Sequence, residues 1–459
     1  MKDAVSPKPN ISIVGAGMGG TLMAIFLSRQ GFSVDLYEER SDVRKIEPNS
    51  DRSINQSLSL RGVSIFEELG LWKQLRPKTL VERGRVFHIS DGNKIFSPYG
   101  RADHEVHYTF NRNALNGFLL DQAESLPGVR VFFETRFVDF DSQSRVATFV
   151  DRHKNKKFQK KIDILIGADG INSAVRGWIP EGKISYQREK LDWGYKNFYV
   201  PKELGKALRD DVFNMWPREN CALFAIANSS GSFVCTLMLP MQGPVSLESI
   251  RTEEDIRQFF QANFSEVLPL LPNLGEEFVN NKTGKFECVY ASPWHFEDKV
   301  VMLGDAVHAF MPFYGQGVSA TAEDCKSLAS CIKKYYPDWK KAFVEYEKER
   351  KVNTDTITNL SKERFYALKD GYRSQYFRSK EKAELVLSRL FPGFWIPLYS
   401  LVSHTTIPYA GALKRYRRQQ AIAKYLGIFA VAYLADLCVL RMSSLRFDLL
   451  EFEKTGVEG

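Results

Sequence analysis

Gly15, Gly17 and Gly20 carry the first legible chemistry in this 459-residue chain. They form Gly15-x-Gly17-x-x-Gly20 directly behind the apolar run Ile11-Ser12-Ile13-Val14. Glycines at this spacing permit a tight turn and a close backbone approach. The helix that follows then offers its N-terminal N–H groups to a pyrophosphate. Further on, Glu38 ends a second strand-like run, where an acid can hold a ribose hydroxyl. An acid there fits FAD or NAD better than a 2′-phosphorylated dinucleotide. Two more glycine-centred segments follow apolar runs of their own. Gly167-Ala168-Asp169-Gly170 comes after Ile162-Asp163-Ile164-Leu165-Ile166, and Gly304-Asp305-Ala306-Val307-His308 after Val300-Val301-Met302-Leu303. Three such segments in this order read as one FAD site assembled from distant parts of the chain.

Regular elements must position these turns. Residues 10–38 read as strand, turn, helix and strand, with the helix over 21–30 and Leu22, Ile25 and Phe26 on one face. Gly31 ends that helix in the usual C′ position. A helix is predicted over 59–75, with Val63, Phe66, Leu69 and Leu71 as its apolar face. Strands at 85–89 and 93–96 flank Asp91-Gly92, a hairpin signal. A helix at 113–125 and a strand at 129–133 follow. Strands at 213–217, 222–227 and 232–239, with the turn Asn228-Ser229-Ser230-Gly231, predict an antiparallel sheet, hence a separate domain, with a helix over 252–262 beside it. Helix returns at 318–334. Beyond Asp338 it runs almost throughout, broken by Pro392 and Pro397.

Composition narrows the class. Hydrophobic residues make up 44% and charged residues 26%, ordinary for a soluble globular protein. The net charge, 63 − 55 = +8, is too diffuse to argue for nucleic acid, although it helps draw in anionic ligands such as NADPH. The six cysteines form no Cys-x-x-Cys pair and are expected to be reduced thiols in a cytoplasmic compartment. The N-terminus has no apolar stretch of a secretory signal. The apolar segment 425–440 contains Asp436 and follows Lys414, Arg415, Arg417, Arg418 and Lys424. It is expected to be a core-packed or interfacial amphipathic helix, the latter giving peripheral membrane contact.

Taken together, the three glycine segments resemble the single-component FAD-dependent aromatic hydroxylases. Further matches are Arg52-Ser53-Ile54-Asn55, Arg85, Pro98-Tyr99-Gly100, Met215-Trp216-Pro217, Pro312-Phe313-Tyr314-Gly315-Gln316-Gly317 and Ile396-Pro397-Leu398-Tyr399. The resemblance covers nearly the whole chain. It implies that Gly15, Gly17, Gly19, Gly20, Glu38 and Arg40 bind the ADP half of FAD. Asp169-Gly170, running on to Ser173 and Arg176, forms the second motif, and Asp305 meets the ribityl chain. Ser57, Arg112, Phe137, Gly317, Val318 and Ser319 are implied as further FAD contacts. Pro312, Phe313 and Gln316 are implied beside the flavin ring as the catalytic loop. Arg85, Tyr99 and Tyr399 are implied to hold a substrate carboxylate, a role a planar guanidinium performs bidentately.

This chain also departs from that pattern. Arg364-Phe365-Tyr366-Ala367-Leu368 stands where the family has Asn-Tyr-x-Glu-Met, so Arg364 replaces a carboxylate-binding Asn and the Glu is gone. Val318-Ser319 replaces Met-Asn, and Gln56 and Met238 replace an aliphatic and an aromatic residue. Arg364 is therefore counted with the substrate-binding residues. His308 is read as structural, His104 and His107 as solvent-facing, and no metal site is expected.

The expected fold is α/β. A doubly wound, Rossmann-like FAD domain of glutathione-reductase type would be built from 1–80, 101–185 and 287–335. A β-sheet substrate domain would comprise 81–100 and 186–286, and a helical C-terminal region 336–459. The expected reaction is hydroxylation of an aromatic, amino-acid-like acid by O₂, with FAD bound and NADPH docking transiently. The alternatives are a related hydroxylase for another aromatic acid and a FAD-binding protein without monooxygenation.

Overall fold

The computed structural model describes residues 8–45, 55–367, 375–425 and 427. Arg52, Ser53, Ile54, Leu368, Cys438 and, apart from Tyr425 and Gly427, the apolar segment 425–440 lie outside them.

A six-stranded sheet organises the glycine segments. Its order is His295–Phe296, Val300–Met302, Ile164–Gly167, Asn10–Val14, Ser33–Tyr37, Val129–Phe132. All neighbours are parallel except the first pair. The three strands that feed the glycine turns are adjacent, so the three turns emerge together at their carboxyl ends, where open α/β sheets bind ligands. These strands are short and apolar because both faces are covered. Ile11, Ile13, Leu165, Ile166, Val300 and Val301 are fully buried. The Met18–Arg29 helix packs against this sheet, and the Gly317–Tyr335 helix packs against that helix.

A seven-stranded sheet forms the second layer system, in the order Gly284–Ser292, Ser185–Val200, Phe233–Pro240, Cys221–Ala227, Phe213–Arg218, Gly84–His88, Lys94–Pro98. Side chains alternate across it, as the pleat dictates. Leu223, Ala225, Leu237 and Leu239 pack with Ile256, Phe260, Leu274 and Phe278 of two covering helices. The other face presents Phe87, Met215, Phe224, Met238 and Phe286 to Met311 and Phe365. The Glu253–Asn263 helix starts at a full capping box, Thr252 with Asp255.

Several expectations need correction. The large sheet is not wholly antiparallel, because Phe213–Arg218 pairs parallel with Gly84–His88. It also runs on to Ser292, past the expected limit at 286. The helix over 59–75 splits into Leu60–Glu68 and Trp72–Leu75, since Gly70 takes φ +64° between them. Two three-stranded sheets were not foreseen. One joins Asn55–Leu58, His107–Asn111 and Leu80–Glu82, and the other joins Thr135–Asp141, Val146–Asp151 and Lys156–Lys161. Among the described residues no helix is long and apolar enough to cross a membrane.

Candidate active site

The first glycine turn is built by exclusion. Gly15 has φ +98°, and a Cβ there would lie 2.5 Å from the Ala168 carbonyl oxygen. A Cβ on Gly20 would sit 1.9 Å from the Gly15 carbonyl oxygen, and one on Gly19 would be 2.8 Å from Thr321 Cγ2. These three glycines therefore serve close packing. Gly17 differs: it is the N-cap of the Met18–Arg29 helix, and a Cβ there would meet nothing within 4 Å. No side chain caps this helix, so no side-chain acceptor takes up its first-turn N–H groups. Such a helix start, with room before it, fits a pyrophosphate. Glu38 braces the turn, accepting from the Ala16 N–H at 2.9 Å and from Arg40 N and Nε at 3.0 and 2.9 Å. The Arg40 side chain is largely exposed.

The other two turns are tied to each other. Asp169 accepts from Ser173 Oγ, Ala174 N and Val175 N, capping the short Ala174–Trp178 helix. Its carboxylate thus builds the turn rather than facing the open space. Arg176 donates to the Ala306 carbonyl, joining this motif to the third. Asp305 projects from the Gly304–Ala306 turn into a cavity of about 450 Å³ that Arg112 also lines. The Pro312–Tyr314 turn, with Gly315 at φ +64°, delivers the chain to the N-terminus of the Gly317–Tyr335 helix. Pro312, Phe313, Gly317 and Val318 face the same cavity, as does Ser57.

Three further residues expected at the cofactor are, like Asp169, turned elsewhere. Gln316 is fully buried and spends its amide inside the protein. It accepts from Ser59 and Tyr409 hydroxyls and donates to the Tyr314 carbonyl and Ser403 Oγ, at 3.2–3.3 Å. Its side chain does not line the cavity and braces the loop instead. Ser319 is buried beside Ser59, its hydroxyl 3.2 Å from that of Ser59, and does not line the cavity. The Phe137 ring packs edge-on against Phe149 in the core and does not line the cavity.

The far end of the cavity is charged and aromatic. Arg85 is 8% exposed, with its guanidinium over the rings of Tyr99 at 4.7 Å and Tyr399 at 4.4 Å. Arg364, in the last turn of the Trp339–Tyr366 helix, lines the same space. Tyr195, Phe213, Met215, Phe224, Met238 and Phe286 supply apolar wall between the two ends.

Two residues of this end were missed or misplaced by sequence. His107 does not face solvent. It is 2% exposed, stacks on Tyr99 at 4.5 Å and shares a hydrogen bond of 3.3 Å with the Tyr399 hydroxyl. Strand pairing places it directly opposite Glu82, whose carboxylate accepts from the Tyr99 hydroxyl at 2.9 Å. Glu82 was not foreseen at all: a single acid ending a three-residue strand carries no pattern. His308 is buried behind the Gly304 turn, where its ring shares a hydrogen bond with the Asp324 carboxylate.

Three turns at adjacent strand ends, the third placing Asp305 in a cavity roofed by a second sheet, are the arrangement of a FAD-dependent monooxygenase fold. The profile of the FAD binding domain family matches residues 8–360. At the level of whole chains, the protein is 35% identical over 440 residues to the kynurenine 3-monooxygenase of Salinispora tropica, covering 95% of this chain and 97% of that one. It is also 35% identical to the kynurenine 3-monooxygenase of Myxococcus xanthus, covering 88% of this chain and 87% of the relative. The chain belongs to this kynurenine 3-monooxygenase family. Among solved structures, 2-methyl-3-hydroxypyridine-5-carboxylic acid oxygenase superposes with a TM-score of 0.65 at 19% identity, covering 80% of this chain and 94% of that one. PqsL of P. aeruginosa, in complex with 2-aminobenzoylacetate, gives 0.63 at 20% identity, covering 79% and 97%.

Proposed function

We propose that this chain hydroxylates L-kynurenine at ring carbon 3, with FAD across the three glycine turns and NADPH as a transient electron donor. When bound, the flavin supplies the oxygen chemistry, which no side chain provides. The protein's own contribution is to bind, orient and keep water out. Gly17 and the first turn of its helix would take the pyrophosphate, with Glu38 on the ribose and Asp305 on the ribityl chain. Arg85, Tyr399 and Arg364 would fix the substrate carboxylate. Tyr99 would hold the Arg85 guanidinium in place through ring contact. Phe286, Phe313, Phe224 and Met215 would wall the aromatic ring. Pro312 and Gly315 would shape the loop on the flavin side.

The observation that carries this reading is the polarity of the cavity. Its lining runs from Asp305 of the third glycine turn and Arg112, past a largely apolar wall, to the ring-caged Arg85 guanidinium. The full-length similarity to kynurenine 3-monooxygenases supports the choice of ring. NADPH consumption by the FAD-loaded protein tests it, with and without L-kynurenine, together with mass spectrometry for a product one oxygen atom heavier. Stimulated consumption with that product is expected. Unstimulated consumption and no product would overturn kynurenine as substrate. Arg364, a second guanidinium where the family has Asn, favours one second reading: a related hydroxylase acting on another aromatic acid.

A further inference from the structure

We infer that Glu82 is a specificity residue that reads the α-ammonium group of the substrate, so that the cavity selects amino acids over plain aromatic acids. The inference rests on the proposed reading, in which Arg85 takes the carboxylate and the apolar wall takes the ring. Glu82 is 4% exposed yet lines the cavity beside Arg85, and its carboxylate is held by the Tyr99 hydroxyl at 2.9 Å. The Arg85 guanidinium lies over the same Tyr99 ring at 4.7 Å. Around Tyr399 the cavity therefore carries two guanidiniums, Arg85 and Arg364, and the Glu82 carboxylate, while Glu287, which also lines it, is paired with Arg188. An α-amino acid presents the complementary signs, a carboxylate and an ammonium one carbon apart. A buried carboxylate is costly unless paired, and a cationic ligand group repays that cost. An acid lacking the ammonium brings only like charge toward Glu82, a penalty that discriminates.

The surroundings of Glu82 allow its ionisation to be followed. Burial pushes its carboxyl up to about 7, with the Tyr99 hydrogen bond and the Arg85 charge pulling the other way. His107, directly opposite, is held neutral by burial, and so is His404, which lies edge-on to His107. Glu105, bonded to Arg101 at 2.9 Å, stays ionised because the Arg101 hydrogen bonds outweigh its burial. Burial raises Tyr99 and Tyr399 further above the usual phenol range. Within this cluster, Glu82 is thus the group that titrates near neutrality. A bound ammonium keeps it ionised, whereas a ligand without one binds best when it is protonated.

The experiment compares L-kynurenine with 4-(2-aminophenyl)-4-oxobutanoate, the same molecule without its α-amino group. Dissociation constants come from the flavin absorption change of the FAD-loaded protein at pH 6 and pH 8. The native protein should prefer kynurenine by about tenfold or more at pH 8 and by less at pH 6. In Glu82→Gln the preference should fall within about twofold and lose its pH dependence. Glu82→Asp should keep most of it. An unchanged ratio in Glu82→Gln overturns the assignment. If that variant fails to take up FAD, a native ratio that is flat between pH 6 and pH 8 overturns it instead. Native turnover of kynurenine with an unchanged Glu82→Gln ratio removes Glu82 alone. Absent kynurenine turnover, with a Glu82-dependent preference for tryptophan over indole-3-propionate, removes the substrate and keeps Glu82. Tighter binding of both deaminated acids than of their amino acids overturns both.

Discussion

Two buried charge clusters flank the cavity, and they are built on opposite principles. Behind the Gly304 turn, Asp324 accepts from the Gly304 N–H at 3.2 Å and from Arg350 Nε at 2.8 Å, and it pairs with His308. Arg350 also bonds Glu323 at 2.8 Å, and Glu323 bonds Arg61 at 2.6 Å. None of these residues lines the cavity. Burial pushes the Asp324 carboxyl up, but the charges of His308 and Arg350 outweigh it and hold it below the usual range. At the far end, Glu82, Arg85, His107, Tyr99, Tyr399 and Arg364 all open onto the cavity. Buried ions need satisfied partners. The first cluster takes them from the protein and acts as scaffold for Asp305. The second presents its charges to the space a substrate must fill.

Breaking the closed cluster should have the largest effect, and it should fall on the fold. Asp324→Ala strands His308 and Arg350 in the core and frees the Gly304 turn. Removing one partner of a buried ion pair costs about 3–5 kcal/mol. Urea unfolding should show that loss as a lower midpoint, together with weaker FAD retention. A midpoint equal to that of the native protein would mean the cluster is not scaffold.

The open cluster should fail differently. Arg85→Ala removes the caged guanidinium and should weaken kynurenine binding by about 2–4 kcal/mol, or roughly 30- to 1000-fold. The urea midpoint should move less than in Asp324→Ala, since Arg85 lines the cavity whereas Asp324 lies in the packed core. Titration of the FAD-loaded variant with kynurenine checks the first part. A large fall in midpoint with unchanged affinity would reverse the assigned roles of the two clusters.

The two ends also differ in how far the sequence announces them. At the cofactor end, chemistry is carried by backbone, and backbone demands leave marks: Gly15 and Gly20 are glycines because a Cβ has no room. The apolar runs before each turn are equally plain, because strands covered on both faces tolerate little else. At the substrate end Arg85 and Tyr99 were legible through a family resemblance. Glu82 and His107 were not, because they meet across a sheet whose strands are three and five residues long. Strands that short show no periodicity, and a buried Glu runs against every prior on acids. Gln316 failed in the opposite direction. A motif fixed its position beside the flavin loop, but only packing reveals that its amide points at Ser59, Ser403 and Tyr409.

The smallest expected effect separates Glu82 from His107 within the open cluster itself. Burial pushes His107 well below the usual imidazole range. In the unfolded chain His107 returns to about 6.5. Between those values the unfolded state binds the extra proton, so His107 makes stability fall as pH drops below about 6.5. Glu82 has the opposite sign. Its folded carboxyl, raised to about 7, holds a proton that the unfolded chain releases above about pH 4.5. Its contribution is therefore complete at low pH and is lost as pH rises toward 7. Each group changes the slope of stability against pH by up to about 1.4 kcal/mol per unit. Between pH 5 and 6.5, His107→Phe should flatten the rise of stability with pH relative to the native protein, while Glu82→Gln should steepen it. Urea midpoints at half-unit pH intervals read both slopes. Slopes that shift in the same direction would show that the two residues do not hold the opposite protonation states that their shared burial imposes.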